Sequence, residues 1–240
     1  MTKFGFYSPY LDTFGGGERY MLSLASYFSQ NINNQVDIFW EDKTIKAPLS
    51  RFLKIDLTKT KFVKNIFEKR YPAIKAINTR KYDVIFILSD GSVPLSLANK
   101  NILHFQVPFN FPKPDFKTKL KLARYNKVVC NSYFTKSFID PSFKINSKVI
   151  YPPVDVESIK PLKKENIILS VGRFSSQQLH PKKQEILIEV FKELYKKAPT
   201  WKLILVGQVK KGDSKYIRKL KKITKGHAIK IIENMEIEKL

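Results

Sequence analysis

The chain has 240 residues, 43% of them hydrophobic, and 44 Lys and Arg against 21 Asp and Glu give a formal charge of +23. That is room for one large or two small domains with an ample core. The single cysteine, Cys130, excludes an internal disulfide and fits a reducing compartment; no apolar run is long enough to span a bilayer, and the first residues lack a basic start, apolar core and small-residue cleavage site. The positive charge suits a polyanionic surface, whether nucleic acid, anionic membrane or phosphorylated substrate. It is equally what a Lys-, Asn- and Ile-rich composition produces.

In chain order, Lys3–Ser8 reads as a strand, followed by a loop and Gly15-Gly16-Gly17-Glu18-Arg19-Tyr20. Met21, Leu22, Leu24, Ala25 and Phe28 then mark a helix. Three glycines at a strand-to-helix turn let backbone N–H groups approach a ligand where a Cβ would clash. The spacing matches neither a dinucleotide fingerprint nor a P-loop, and a flexible turn before a helix is the plain alternative. Val36–Trp40 is a second strand. From Lys43 to Lys81 the chain is basic, with Asp56 and Glu68 its only acids. Phe62, Val63, Ile66, Phe67, Ile74 and Ile77 recur at near-helical spacing, and Pro72 is expected to break or kink that helix. A basic amphipathic segment of this kind can lie on an anionic membrane or form an ordinary solvated surface.

Asp83–Leu88 and Ile102–Phe105 are the third and fourth strands, the latter carrying His104, which is either a core histidine or a site residue. From Phe105 to Phe111 aromatics alternate with Gln106, Pro108 and Asn110, a suitable floor for an acceptor pocket. Phe116–Tyr125 reads as a basic helix. Val128–Asn131 is a strand leading through Ser132 into a helix with Phe134 and Phe138, and Lys148–Tyr151 is another strand. Pro152-Pro153-Val154-Asp155 and the polar stretch after it mark the boundary between domains 1–155 and 156–240. Asp155 and Glu157 read as linker. Beyond it, Ile167–Val171 is short and branched enough for a strand buried on both faces.

Gly172-Arg173-Phe174 and a polar loop through Ser175, Ser176, Gln177 and Gln178 lead to His180-Pro181-Lys182-Lys183. A helix follows, marked by Ile186, Leu187, Val190, Phe191 and Leu194. In an open parallel sheet ligands sit beyond the carboxyl ends of the strands. Arg173 stands at that rim, and Lys182 and Lys183 stand at a helix start that also favours anions. Trp201–Val206, a basic helix around Tyr216 and Ile217, the strand Ala228–Ile232 and a first helical turn at Met235–Leu240 complete the chain. Strands alternating with helices predict an α/β fold with parallel sheets. No metal-ligand cluster, Asp-x-Asp pair or nucleophile triad is discernible.

These pieces, in this order, resemble family 4 (group 1) of the retaining glycosyltransferases. The resemblance rests on Gly15-Gly16-Gly17-Glu18-Arg19, on His104 at a strand end, and on Val129-Cys130-Asn131-Ser132-Tyr133-Phe134-Thr135. It rests also on Val149-Ile150-Tyr151-Pro152-Pro153-Val154-Asp155, and on Val171-Gly172-Arg173-Phe174 with His180-Pro181-Lys182-Lys183-Gln184. It implies the GT-B fold, two Rossmann-like domains, with the N-terminal one on the acceptor side and the C-terminal one binding a nucleotide sugar. By that resemblance Arg173 and Lys182 stabilise the departing diphosphate without a metal or other cofactor, with Gly172 and Lys183 beside them. His104 hydrogen-bonds the donor sugar, and Gly15, Gly16, Gly17 and Glu18 help bind donor or acceptor.

The wording leans toward mannosyltransferases of lipid-linked oligosaccharides, so GDP-mannose is the first donor suggested. A glycan or polyprenyl-linked molecule is the acceptor, and the location is cytoplasmic with peripheral contact to an anionic membrane. The family's Glu-rich segment of the second domain has no match. The reading therefore expects a C-terminally truncated, incomplete second domain, an exposed apolar sheet face, and little transferase activity from this chain alone. A non-catalytic membrane- or glycan-binding remnant is the alternative. Nucleic-acid binding rests on charge alone, since no known aromatic–basic module is present.

Overall fold

The computed structural model describes every residue except 68–71, 109–113, 155, 157–160, 177–180, 210–211 and 236–240. Phe109, Asn110, Phe111, Asp155, Glu157, Gln177, Gln178, His180 and the expected helical turn at 236–240 therefore lie outside the described residues. The chain divides into two compact units, Met1–Val156 and Glu157–Leu240.

Among the described residues the first unit is built on a seven-stranded parallel sheet. Its strands are β1 (Thr2–Tyr7), β2 (Asn34–Phe39), β3 (Lys61–Val63), β4 (Val84–Ser89), β5 (Lys100–Phe105), β6 (Lys127–Cys130) and β7 (Lys148–Val149). They lie in the order β3-β2-β1-β4-β5-β6-β7. The helices are α1 (Gly16–Ser29), α2 (Lys46–Leu53), α3 (Pro72–Thr79), α4 (Phe116–Leu122) and α5 (Tyr133–Phe143). Alternation along the strands sends neighbouring side chains to opposite faces. Phe4, Phe6, Val36, Ile38, Phe86 and Leu88 pack on one face with Tyr20, Met21 and Leu22 of α1. Phe39, Ile85, Ile87, Leu103 and Phe105 pack on the other with Ile139 and Phe143 of α5. The strand order reverses between β1 and β4, which pair directly from Phe4 against Val84 to Tyr7 against Ile87.

The basic segment 43–81 is not one amphipathic helix. Residues 46–53 form α2, and Lys61–Val63 pair with Asp37–Phe39 as an edge strand. Pro72 opens α3 rather than breaking a helix, because the first helical residue needs no N–H partner. Phe62 and Val63 fit a helical period only by accident; pairing with β2 decided their conformation.

The second unit holds β8 (Ile167–Val171), α6 (Gln184–Lys197), β9 (Lys202–Gly207), α7 (Ser214–Thr224) and β10 (Ile229–Glu233). Among the described residues its sheet is three parallel strands in the order β10-β9-β8. Both helices cover the same face, where Ile188, Phe191, Ile217 and Leu220 pack against Leu203 and Leu205. On the opposite face Leu169 is 51% and Val171 56% exposed. So β8 is not buried on both faces, as its apolar run suggested. It is an edge strand with one covered side and apolar side chains open on the other.

Candidate functional site

Two strand-to-helix loops, one in each unit, carry the chemistry-bearing residues. In the first unit β1 ends at Tyr7, and a short 3-10 turn, Leu11–Thr13, leads to Gly15 as the N-cap of α1. Glu18 is buried. Its carboxylate accepts from Ser8 Oγ at 3.1 Å, Thr13 Oγ1 at 3.0 Å and the Gly15 N–H at 3.0 Å. Both carboxylate oxygens accept from the loop itself, so Glu18 shapes the turn. The glycines divide the remaining work. A Cβ on Gly17 would stand 2.3 Å from Gln106 Oε1, whereas a Cβ on Gly16 would meet nothing within 4 Å. Gly17 lets the Gln106 side chain pack close to α1, and Gly16 faces open space at the helix start.

His104 is placed differently from its expected role. The ring is fully buried, stacked on Tyr20 at 4.3 Å and tilted against Phe86 at 5.5 Å. Among the described residues neither ring nitrogen has a hydrogen-bond partner. Burial pushes its pKa down to about 3, so the imidazole is neutral. No part of it is open to a sugar hydroxyl in this conformation, because α1 closes over it through Tyr20. Tyr20 Oη in turn donates to the Ile150 carbonyl at 3.4 Å, tying α1 to the segment before Tyr151-Pro152-Pro153. Asn131 and Ser132 also serve the scaffold. Ser132 caps α5 by accepting from the Thr135 N–H at 3.0 Å, and Asn131 Nδ2 donates to the Gln106 carbonyl at 3.2 Å.

In the second unit Gly172 and Arg173 follow β8 directly. The side-chain stem of Lys182 lies over Gly172, its Cγ 3.0 Å from where a Cβ on that glycine would be. Lys182 is thus brought against Gly172, the residue before Arg173. Phe174 anchors the loop in the core, and Ser175 Oγ donates to Asp213 Oδ1 at 2.8 Å. Arg173 has no ion-pair partner among the described residues, and Lys182 and Lys183 are exposed. Lys182 lies just before α6, not within its first turn. Lys183 is the N-cap in the left-handed region, with φ 49°.

Three residues that sequence reasoning left without a role hold this loop. Gln184 is buried; its Nε2 donates to the Arg173 carbonyl at 3.0 Å and its Oε1 accepts from Tyr216 Oη at 2.9 Å. The same hydroxyl also reaches the Glu185 carboxylate, so its one proton is shared between the two acceptors. A Cβ on Gly207 would stand 1.9 Å from the Gly172 carbonyl oxygen, so only glycine lets β9 end against this loop. A polar Gln at a helix start and a glycine at a strand end are visible in sequence, but their partners are remote in the chain. Among the described residues no three His, Cys, Asp or Glu side chains are grouped to hold a metal ion, and no helix is long and apolar enough to cross a membrane.

No family model and no curated protein matches the chain. Solved structures do. A glycosyltransferase from Rickettsia africae ESF-5 aligns over 98% of this chain and 68% of its own, at 16% identity and a TM-score of 0.66. An S. aureus MnaA–UDP co-structure aligns over 99% and 70%, at 15% identity and a TM-score of 0.55. A Neisseria meningitidis UDP-GlcNAc 2-epimerase bound to UDP-GlcNAc aligns over 99% and 73%, at 11% identity and a TM-score of 0.50. Likeness at this identity speaks to architecture. With two parallel α/β units, each ending its strands in ligand-type loops, the chain has the GT-B fold of glycosyltransferases and sugar-nucleotide epimerases.

Proposed function

We propose that this chain binds a nucleotide sugar through the Gly172–Lys183 loop and serves retaining glycosyl transfer to a glycan or polyprenyl-linked acceptor. One observation carries the reading: the Lys182 stem lies over Gly172 at the carboxyl end of β8, next in the chain to Arg173, and Arg173 has no ion pair among the described residues. A buried Gln184–Tyr216 pair fixes the backbone from which they project. Two cations flanking Gly172 suit a diphosphate whose charge grows as the glycosidic bond breaks. The guanidinium offers a planar fork to two oxygens and the ammonium a point charge. These groups would supply the stabilisation without a metal.

Support for sugar-nucleotide chemistry comes from the fold, shared with a glycosyltransferase and with proteins whose structures hold UDP or UDP-GlcNAc. In the first unit Gly16, open to solvent at the start of α1, is the position where donor or acceptor approaches the backbone. GDP-mannose is the first donor to test. Peripheral contact with an anionic membrane fits the exposed Ile74 and Ile77 of α3 and Phe116 and Leu120 of α4, which lie among lysines. A second reading, a binding module without turnover, is favoured by the three-stranded sheet with Leu169 and Val171 exposed.

The test is calorimetric titration of GDP-, UDP- and ADP-sugars into wild type, Arg173→Ala and Lys182→Ala. Binding by wild type with at least about tenfold loss in each variant is expected, about 1.4 kcal/mol. Equal affinity in all three proteins would remove this loop from the site. Donor binding with no transfer to any glycan or polyprenyl acceptor would select the second reading.

A further inference from the structure

The first unit contains a cavity of about 470 Å³ that none of the residues discussed above explains, Tyr7 and Phe67 apart. Tyr7, the last residue of β1, and Gly91–Leu95, which follow β4, form its inner wall. These are the adjacent strands at which the sheet order reverses, where open α/β sheets hold their ligands. The cavity lies on the side of Tyr7 and Phe67, opposite the face that α1 covers. It is therefore separate from the Gly15–Gly17 turn.

Its chemistry is uneven in an informative way. The Tyr7 and Phe67 rings stack at 4.5 Å and make an aromatic wall, which Val93, Pro94 and Leu95 extend. The loop after β4 is held by side-chain hydrogen bonds. Ser89 Oγ accepts from the Gly91 N–H at 2.9 Å, Asp90 Oδ1 accepts from the Ser92 N–H at 3.0 Å, and Tyr125 Oη donates to the Pro94 carbonyl at 2.5 Å. From the other side come Lys75 of α3, and Lys121 and Thr118 of α4. Neither lysine has an ion pair among the described residues. Asp115 is the nearest acid to show a coupling to Lys121, and its carboxylate is occupied capping α4 through the Thr118 N–H at 2.8 Å. Two lysines from separate helices line the same cavity as this aromatic wall, a lining that suits a ligand with a compact, doubly charged anion at one end. The other end should be ring-shaped with an apolar face. Lysines suit a phosphate better than a planar carboxylate, for which arginine forks are the usual partner.

We infer that this cavity binds a phosphorylated sugar, with Lys75 and Lys121 on the phosphate and the sugar ring against Tyr7 and Phe67. Its role as the acceptor subsite rests on the sugar-transfer reading above; the binding itself does not. The same chemistry is available as a free hexose phosphate or as the headgroup of a hexose polyprenyl phosphate.

Titration of mannose 1-phosphate, inorganic phosphate and mannose into the full chain tests the binding, alongside flotation with phosphatidylcholine vesicles with or without a mannosyl polyprenyl phosphate. The variants are Lys75→Ala, Lys121→Ala and their double; both lysines lie on helix surfaces, so the fold should persist. Mannose 1-phosphate should bind more tightly than phosphate or mannose, and each single variant should weaken it by about tenfold. Capture only by the lipid-containing vesicles, lost in the double variant, supports the same site with the headgroup as ligand. No binding in either arm, or binding unchanged in the double variant, overturns the inference. GDP-sugar affinity read in the same proteins separates the two readings. The double variant should keep it, whereas Arg173→Ala should lose it and keep mannose 1-phosphate.

Discussion

Replacing His104 by phenylalanine should make the first unit less sensitive to acid. The imidazole is 0% exposed between Tyr20 and Phe86, and burial lowers its pKa from 6.5 to about 3. The unfolded chain takes up a proton near the ordinary value, while the folded chain stays neutral until about 3. The unfolded state therefore binds more protons throughout that window. Stability is fully present above about pH 6.5 and is lost as the pH falls toward 3. At about pH 5, one and a half pH units below the ordinary value, the loss is about 2 kcal/mol at 1.36 kcal/mol per unit. For a unit of this size that is about 4–8 °C in Tm.

The assay is thermal or urea unfolding of wild type and His104→Phe from about pH 7 to about pH 5. Carboxylates titrate alike in both proteins, so the difference between them isolates residue 104. Phenylalanine also removes two buried nitrogens that lack partners, so at pH 7 the variant should equal or exceed wild type. A stability difference that stays flat with pH would refute a sealed, neutral imidazole. Loss of donor-dependent transfer in a variant of unimpaired stability would return the ring to a ligand.

Other expectations follow from single contacts. Gly207→Ala drives a methyl into the Gly172 carbonyl, so it should cost about 1–3 kcal/mol in urea unfolding and weaken nucleotide-sugar binding by displacing the Arg173 loop. Tyr82→Phe removes the 2.8 Å hydrogen bond to buried Asp37. That should destabilise the protein by about 1.5–3 kcal/mol, with the Gln35 donor and Lys3 at 3.6 Å left to the carboxylate; unchanged stability would show the carboxylate reaches water. Leu169→Gln should leave stability within about 0.5 kcal/mol while lowering hydrophobic-dye binding and self-association, because that side chain is already half exposed.

Most strands were legible because their determinants are local. Ile167–Val171 was located to the residue by its branched apolar run, and β1, β4 and β6 were found within a residue or so of their ends. The miss was β3 and the helices around it. Phe62 and Val63 carry no local mark that separates an edge strand from a turn of helix, and only the backbone of β2 beside them decides. Gly172, Arg173 and Lys182 were readable as neighbours of one strand-to-helix connection, and the structure sets the Lys182 stem against Gly172. Gln184 and Gly207 were not, since the first acts through Tyr216 and the second against Gly172.

By itself, then, the amino-acid order determined the alternation of strands and helices, hence parallel sheets, and the rim positions where cations and glycines cluster. Side-chain period and turn chemistry act between near neighbours, so they can be read without coordinates. Only the tertiary structure decided which polar groups remain available to a ligand. Glu18 is consumed by its own loop, His104 is sealed under α1, and Lys75 and Lys121 arrive from two helices at one cavity. Burial and hydrogen-bond satisfaction depend on residues far apart in the chain, and no local pattern records them.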